Sequence, residues 1–383
     1  MATKTNYRRL PQELIDAIVH EFDDGSPCLI ACSQTAKTFR VPCQRIIFRA
    51  VVLHGEETHG FFNTCRRACD LLAASPLLAV YVCHLSIPLP TVEKETRYLK
   101  GVLGALHNVE RFMISNPGES VNWNPNLDSA IFRIVSLPSL DRLHLINVSY
   151  LPSSLVYLTA SATRVLSLNG VYIQKTLVGA PAPSLLQLEH LIISSSRASR
   201  GMTPIWDLIR KLRKEGYLQH LRRVSLKLET DEDYLQIFAP LTDIIQHLEM
   251  DCSRHFSLIK IPRFELLRIL ELAFYIGMFR DLPSSLSLVV LDFPSSAPLL
   301  ERLTLTLGIM PRIPEIPWSL DPPYPVFDTG FMERRDLPRL HNVTWSSTHL
   351  CHFVTSLRNE KVRNLDGCTK VRHSDEDLGK LVT

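Results

Sequence analysis

Side chains capable of bond chemistry are present in this 383-residue chain, but none stands in the pattern a catalytic or metal centre requires. Cys65 and Cys69 lie one helical turn apart, with no histidine pair at zinc-finger spacing beside them. His349, Cys351 and His352 form a second close group whose atom types suit a metal. A single cluster of that kind is more often ordinary surface or core side chains. His84, His107, His144, His190, His220 and His247 recur beside short apolar segments, which fits repeat positions better than general bases. The phosphate-cradling GxGxxG and GxxxxGKS/T loops are absent, as are the HExxH zinc helix and the GxSxG nucleophile turn. The sequence therefore predicts no catalytic residue, no metal site and no cofactor.

The elements that must position these side chains repeat. Residues 80–346 carry one pattern, apolar-x-x-apolar-x-apolar. It runs through Val82/Leu85/Ile87, Val109/Phe112/Ile114, Leu140/Leu143/Leu145, Leu188/Leu191/Ile193 and Leu221/Val224/Leu226. It continues through Ile245/Leu248/Met250, Leu267/Leu270/Leu272, Leu300/Leu303/Leu305 and Leu340/Val343/Trp345, with a weaker copy at Thr163/Leu166/Leu168. A proline precedes several copies, as in Pro138-Ser139-Leu140 and Pro298-Leu299-Leu300, and LPSSL occurs at 151–155 and again at 282–286. The x-L-x-L core is a short strand with alternate side chains inward. Stacked units bury together what no single unit could bury. Helical candidates lie between the strands, at Thr58–Ala74, Asp128–Ser136, Ile205–Glu215 and Asp233–Gln246. Alternation of strand and helix predicts a parallel sheet in the α/β class.

Side chains flanking the inward leucines must face the other way. They make His144, Ser167, His190, Arg223, Lys227, Glu249, Asp251 and Glu271 the candidate ligand-binding residues. The set is mixed and mostly polar, which suits recognition of a protein and names no ligand. A proline-dense stretch, residues 311–330, precedes the last strand and reads as a loop.

The first fifty residues have another character. Leu10, Leu14, Ile18 and Phe22 recur at helical spacing, with Pro11 and Glu13 at the N-terminal end. DDGSP at 23–27 is turn chemistry. Leu29, Cys32, Ala36 and Phe39 mark a second helical face, which Val41-Pro42 is expected to close. Ala50-Val51-Val52-Leu53 reads as a strand. Helices this short bury too little to stand alone and suit docking into a partner's groove.

Leu10-Pro11-x-Glu13-Leu14-x-x-x-Ile18, a turn, Leu29-x-x-Cys32-Ser33 and Lys37-x-Phe39-Arg40 together resemble the F-box. The continuation Pro42-Cys43-Gln44-Arg45-x-x-Phe48-Arg49 resembles F-box proteins of mushroom-forming fungi, and the likeness covers residues 8–49. The downstream pattern resembles a degenerate leucine-rich repeat. The resemblance implies an F-box motif over 1–49, a leucine-rich-repeat-like α/β solenoid with a curved, mostly parallel sheet over 50–370, and a charged tail over 371–383. It implies docking to a Skp1-like linker, and through it to a cullin-RING ubiquitin ligase, by Leu10, Pro11, Glu13, Leu14, Ile18, Leu29, Cys32 and Phe39. The solenoid would then hold a protein substrate. The alternative is a non-catalytic scaffold with a vestigial F-box, kept open because no tryptophan stands near Phe39.

Composition sets the limits. Hydrophobic residues make up 45% of the chain, enough to build a large core. The net charge of +3 from 42 basic and 39 acidic residues is too small for phosphate-driven nucleic-acid binding. Nine cysteines at irregular spacings predict reduced thiols, and the N-terminus has no apolar leader, so a cytoplasmic or nuclear location is expected. Residues 71–92 lack charge, but Pro76, Pro88 and Pro90 interrupt them, which predicts a helix end, a turn and a buried strand instead of a membrane span.

Overall fold

The computed structural model describes residues 10–22, 27–53, 60–116, 120–174, 187–194, 205–227, 236–251, 262–276, 296–309, 342–348 and 369–371. The chain divides into two compact units, Met1–Thr163 and Arg164–Thr383.

The first unit opens with three helices, α1 (Gln12–His20), α2 (Pro27–Thr35) and α3 (Lys37–Ile47). Strands and helices then alternate: β1 (Ala50–Val52), α4 (Gly60–Ala74), α5 (Leu77–Tyr81), β2 (His84–Ile87), α6 (Glu93–Ala105) and β3 (Arg111–Ser115). There follow β4 (Val121–Asn122), α7 (Asp128–Val135), β5 (Arg142–Ile146), β6 (Val148–Ser149) and α8 (Ser153–Ala162). β1, β2, β3 and β5 pair in that order, all parallel, and β4 pairs with β6 in a separate small parallel sheet. Parallel neighbours need a long crossover, which α4 to α7 supply. The second unit contains β7 (Val165–Asn169), β8 (His190–Ser194), α9 (Ile205–Lys214), β9 (Arg223–Lys227), β10 (His247–Asp251), β11 (Ile269–Ile276), β12 (Arg302–Ile309), β13 (Asn342–Thr348) and β14 (Thr369–Val371). These strands are also parallel and pair in chain order.

Every copy of the apolar pattern is a strand, the weak copy at Leu166 included. The middle apolar residues stand side by side. Leu85 pairs Phe112, and Phe112 pairs Leu143. In the second unit Leu166, Leu191, Val224, Leu248, Leu270, Leu303 and Val343 form one register line. All but Val343, whose environment lies outside the described side chains, are buried. Burying one such side chain stabilises by roughly 1.5–3 kcal/mol, so the line is a principal source of cohesion.

Asparagine at the strand ends adds a polar counterpart. Asn116 donates to the Asn147 carbonyl at 3.1 Å, and Asn147 returns a bond to the Asn116 carbonyl at 3.0 Å. The Asn116 Oδ1 also accepts from the Leu89 N–H at 2.9 Å. Asn147 has φ 55°, in the left-handed region that asparagine tolerates better than most residues.

Two expected boundaries move. Val41-Pro42 does not close the second helix: the break is at Ala36, extended at φ −147° and ψ 144°, and Pro42 lies inside α3. Pro42 has no N–H to offer Thr38, but its ring is buried beside Cys43, which offsets the lost bond. The helix expected over Asp233–Gln246 shrinks, among the described residues, to one turn at 236–238 followed by turns. Pro240 explains this, because it drives Ala239 out of the helical region. The proline-dense stretch, the second LPSSL and the His349/Cys351/His352 group lie outside the described residues. Among the described residues no helix is long and apolar enough to cross a membrane, and residues 71–92 form the end of α4, α5 and the buried strand β2.

Candidate functional site

Two surfaces stand out, one in each unit. The first belongs to α1. Pro11 immediately precedes the helix, and its carbonyl accepts from the Leu14 and Ile15 N–H groups at 3.2 and 3.3 Å. Glu13 occupies the first turn, where a carboxylate complements the positive end of the helix dipole. Ile15 and Val19 point inward to Leu29 and Cys43, and Phe22, Cys32, Phe39, Ile46 and Ile47 pack around that cluster. The opposite side is apolar too. Leu10, Leu14 and Ile18 are 53%, 51% and 44% exposed, at i, i+4 and i+8. Ile30 of α2 and Val41 of α3 are exposed as well, although the sequence pattern did not single them out.

The expected docking residues therefore fall into two groups. Leu10, Pro11, Glu13, Leu14 and Ile18 are open to solvent. Leu29 is fully buried, and Cys32 and Phe39 are half-buried against the motif's core, where they hold α1–α3 together.

The second surface is the polar face of β8–β11. Residues two apart on a strand share a face, and parallel register aligns the strands side by side. The result is a continuous chain of contacts. His190 Nε2 lies 2.8 Å from the Ser225 hydroxyl, and that hydroxyl donates to Glu249 Oε2. With the Ser225 proton committed to Glu249, His190 Nε2 must be the donor to Ser225. Arg223 donates to Glu249 Oε1. His247 Nε2 sits 3.4 Å from Glu249 Oε1 and 3.1 Å from Glu271 Oε1, so this nitrogen carries its proton between two carboxylates. The bond from His247 is the main cause that holds the Glu271 carboxyl below its ordinary value; burial opposes it, and the nearby charges of His247, Arg223 and Arg302 assist. Lys227 pairs with Asp251 at 2.7 Å on the same face.

Six of the eight residues expected to bind a ligand thus meet on neighbouring strands: His190, Arg223, Glu249 and Glu271 in one network, Lys227 and Asp251 in an adjoining pair. Ser167 is buried within β7 and offers little to a ligand. His144 lies in the first unit on β5, where burial, then Arg142 and Arg111, hold its pKa below the ordinary histidine value. Ser225, an outward-facing residue by strand alternation, and His247, read from the sequence only as a repeat-position histidine, link the network. The same alternation places His247 beside Glu249 on this face.

Cys65 is no nucleophile. Burial, then Glu95 and Cys69, push its thiol up to about 12, so it stays protonated. A cavity of about 360 Å³ beside Cys69 is lined mainly by apolar groups, including Leu72, Ala73, Pro76, Ala79 and Ala105. Among the described residues, the group able to supply metal donors is His247, Glu249 and Glu271, whose ligand atoms lie within 4.8 Å of one another. No family model matches the sequence. No curated protein matches it at a significant level.

Proposed function

We propose that the chain is the substrate-recognition adaptor of a Skp1–cullin–F-box ubiquitin ligase. The observation that carries this reading is the two-sided α1. Ile15 and Val19 complete the core of the three-helix motif, while Leu10, Leu14 and Ile18 leave an apolar stripe outside it. Exposed apolar side chains in a row are a liability in a free protein and an asset against a partner's groove. The order of landmarks from Leu10 to Arg49 supports a Skp1-like linker as that partner. The register line of the parallel strands supports a leucine-rich-repeat-like solenoid as the receptor, with the polar face of β8–β11 turned to a protein substrate. In this reading the chain breaks no bond itself. It brings substrate and ligase together, and proximity does the rest in the cytoplasm or nucleus.

The test is co-purification with Skp1 of the wild type, Leu10→Asp and Leu14→Asp. Capture of the wild type, and its loss in both variants with folding intact, is the expected result. A second reading, a scaffold with a vestigial F-box, is favoured by the absence of a tryptophan near Phe39. Failure of the wild type to bind Skp1, with another partner retained, selects it.

A further inference from the structure

We propose that His247, Glu249 and Glu271 form a binding site for one divalent transition-metal ion of the zinc class on the polar face of the second unit. The proposal does not rest on the adaptor reading.

Backbone register builds the site. His247 and Glu249 are two apart on β10 and so share its face. Glu271 on β11 is the direct partner of Glu249. One imidazole nitrogen and two carboxylates therefore converge without any loop having to fold over them.

The spacing fits a metal. Donors bound at about 2.0–2.1 Å in tetrahedral geometry stand roughly 3.3 Å from each other. His247 Nε2 stands 3.4 Å from Glu249 Oε1 and 3.1 Å from Glu271 Oε1. All three donors lie within 4.8 Å of one another, the carboxylate–carboxylate edge included.

Electrostatics point the same way. Like charges placed directly opposite across neighbouring strands repel. Arg223 pairs with Glu249 Oε1 and the Arg302 charge acts on Glu271, while a single Nε2 of His247 faces both carboxylates. A divalent cation held between the facing carboxylates relieves their mutual repulsion. Ser225 already holds the far oxygen of Glu249 and so orients the near one. One imidazole with two carboxylates suits zinc, cobalt or manganese more than a soft copper(I) ion. Three protein ligands leave a position for water or for a side chain of a bound partner.

The experiment uses the full chain without a histidine tag, under a thiol reductant, titrated with Co²⁺ by electronic spectroscopy and with Zn²⁺ by calorimetry. The expected result is one equivalent of cobalt bound with weak d–d bands and no thiolate charge-transfer absorption. His247→Asn and Glu271→Gln should each weaken binding by more than the about tenfold to hundredfold that loss of an outer-shell partner costs. The near-isosteric Glu249→Gln should do the same, and Lys214→Gln, exposed on α9 away from the cluster, should leave affinity unchanged. Imidazole nitrogen shifts of His247 on zinc addition give a readout independent of variant folding. Failure to bind, equal binding by wild type and the His247→Asn/Glu271→Gln double variant, or a thiolate absorption band each overturns the proposal.

Discussion

Leu14 and Ile15 are neighbours in α1, yet Ile15 is 2% exposed against Leu29 and Cys43 while Leu14 is 51% exposed on the far side. The two residues separate folding from docking. Ile15→Ala should destabilise the protein by about 2–5 kcal/mol, as buried large-to-small changes do. Leu14→Ala should change stability by less than about 0.5 kcal/mol, as surface substitutions do. Chemical denaturation of both variants reads the difference, and equal losses would remove the two-sided view of α1.

The Asn116–Asn147 exchange gives a second contrast. Asn116→Ala removes two bonds at once: the Leu89 N–H loses its acceptor, whereas the Asn147 carbonyl keeps the Val121 N–H. An orphaned buried N–H costs about 1–3 kcal/mol. Asn147→Gly keeps the positive φ at little cost but loses the side-chain bond. It should therefore destabilise less than Asn147→Ala, which loses the bond and strains the backbone as well. Thermal melts of the three variants order them.

Acid should weaken the second unit through Glu271. Its folded carboxyl lies below the ordinary value of 4.5, so the unfolded chain takes up the proton first as pH falls. The contribution is complete above the unfolded value and is lost as pH drops through the folded one. Glu271→Gln should flatten the stability profile below about pH 4.5 relative to wild type. Denaturation curves at stepped acid pH report it.

His144 acts in a higher window with the same sign. Burial, Arg142 and Arg111 hold its folded pKa below 6.5, so the unfolded chain binds the proton more readily. Stability from this group is complete above 6.5 and declines as pH falls through that value. His144→Gln should remove that step, and imidazole proton shifts followed by pH titration should place the midpoint below 6.5.

Much of the fold could be read directly. The middle residue of each apolar copy, from Leu85 to Val343, lies in a strand because period-two alternation and bounded length leave few other conformations. Helix ends were harder. Pro42 looks like a stop, but burial of its ring in α3 outweighs its local preference, whereas Pro240 does stop a helix where no such burial was anticipated. β14 has no leucine pattern to announce it, and α6 and α8 were not among the helical candidates. The polar site was half legible. Alternation puts Glu249 and Glu271 on the outward face, but the His190–Ser225–Glu249 contacts depend on register between strands 24 and 35 residues apart. Nor could the pattern of α1 say which side turns inward. Both sides are apolar, and contact with Leu29 and Cys43 decides.

The register line in the second unit stays level although its successive members are separated by anything from 22 residues, Leu248 to Leu270, to 40, Leu303 to Val343. Connection length and face composition are thus uncoupled. A connection can gain or lose residues without turning one outward side chain, whereas a single residue inserted inside a strand would invert its faces. Such an architecture lets selection rewrite the exposed side chains one strand at a time, so that new specificities arise by point changes on a sheet whose foundations need not be relaid.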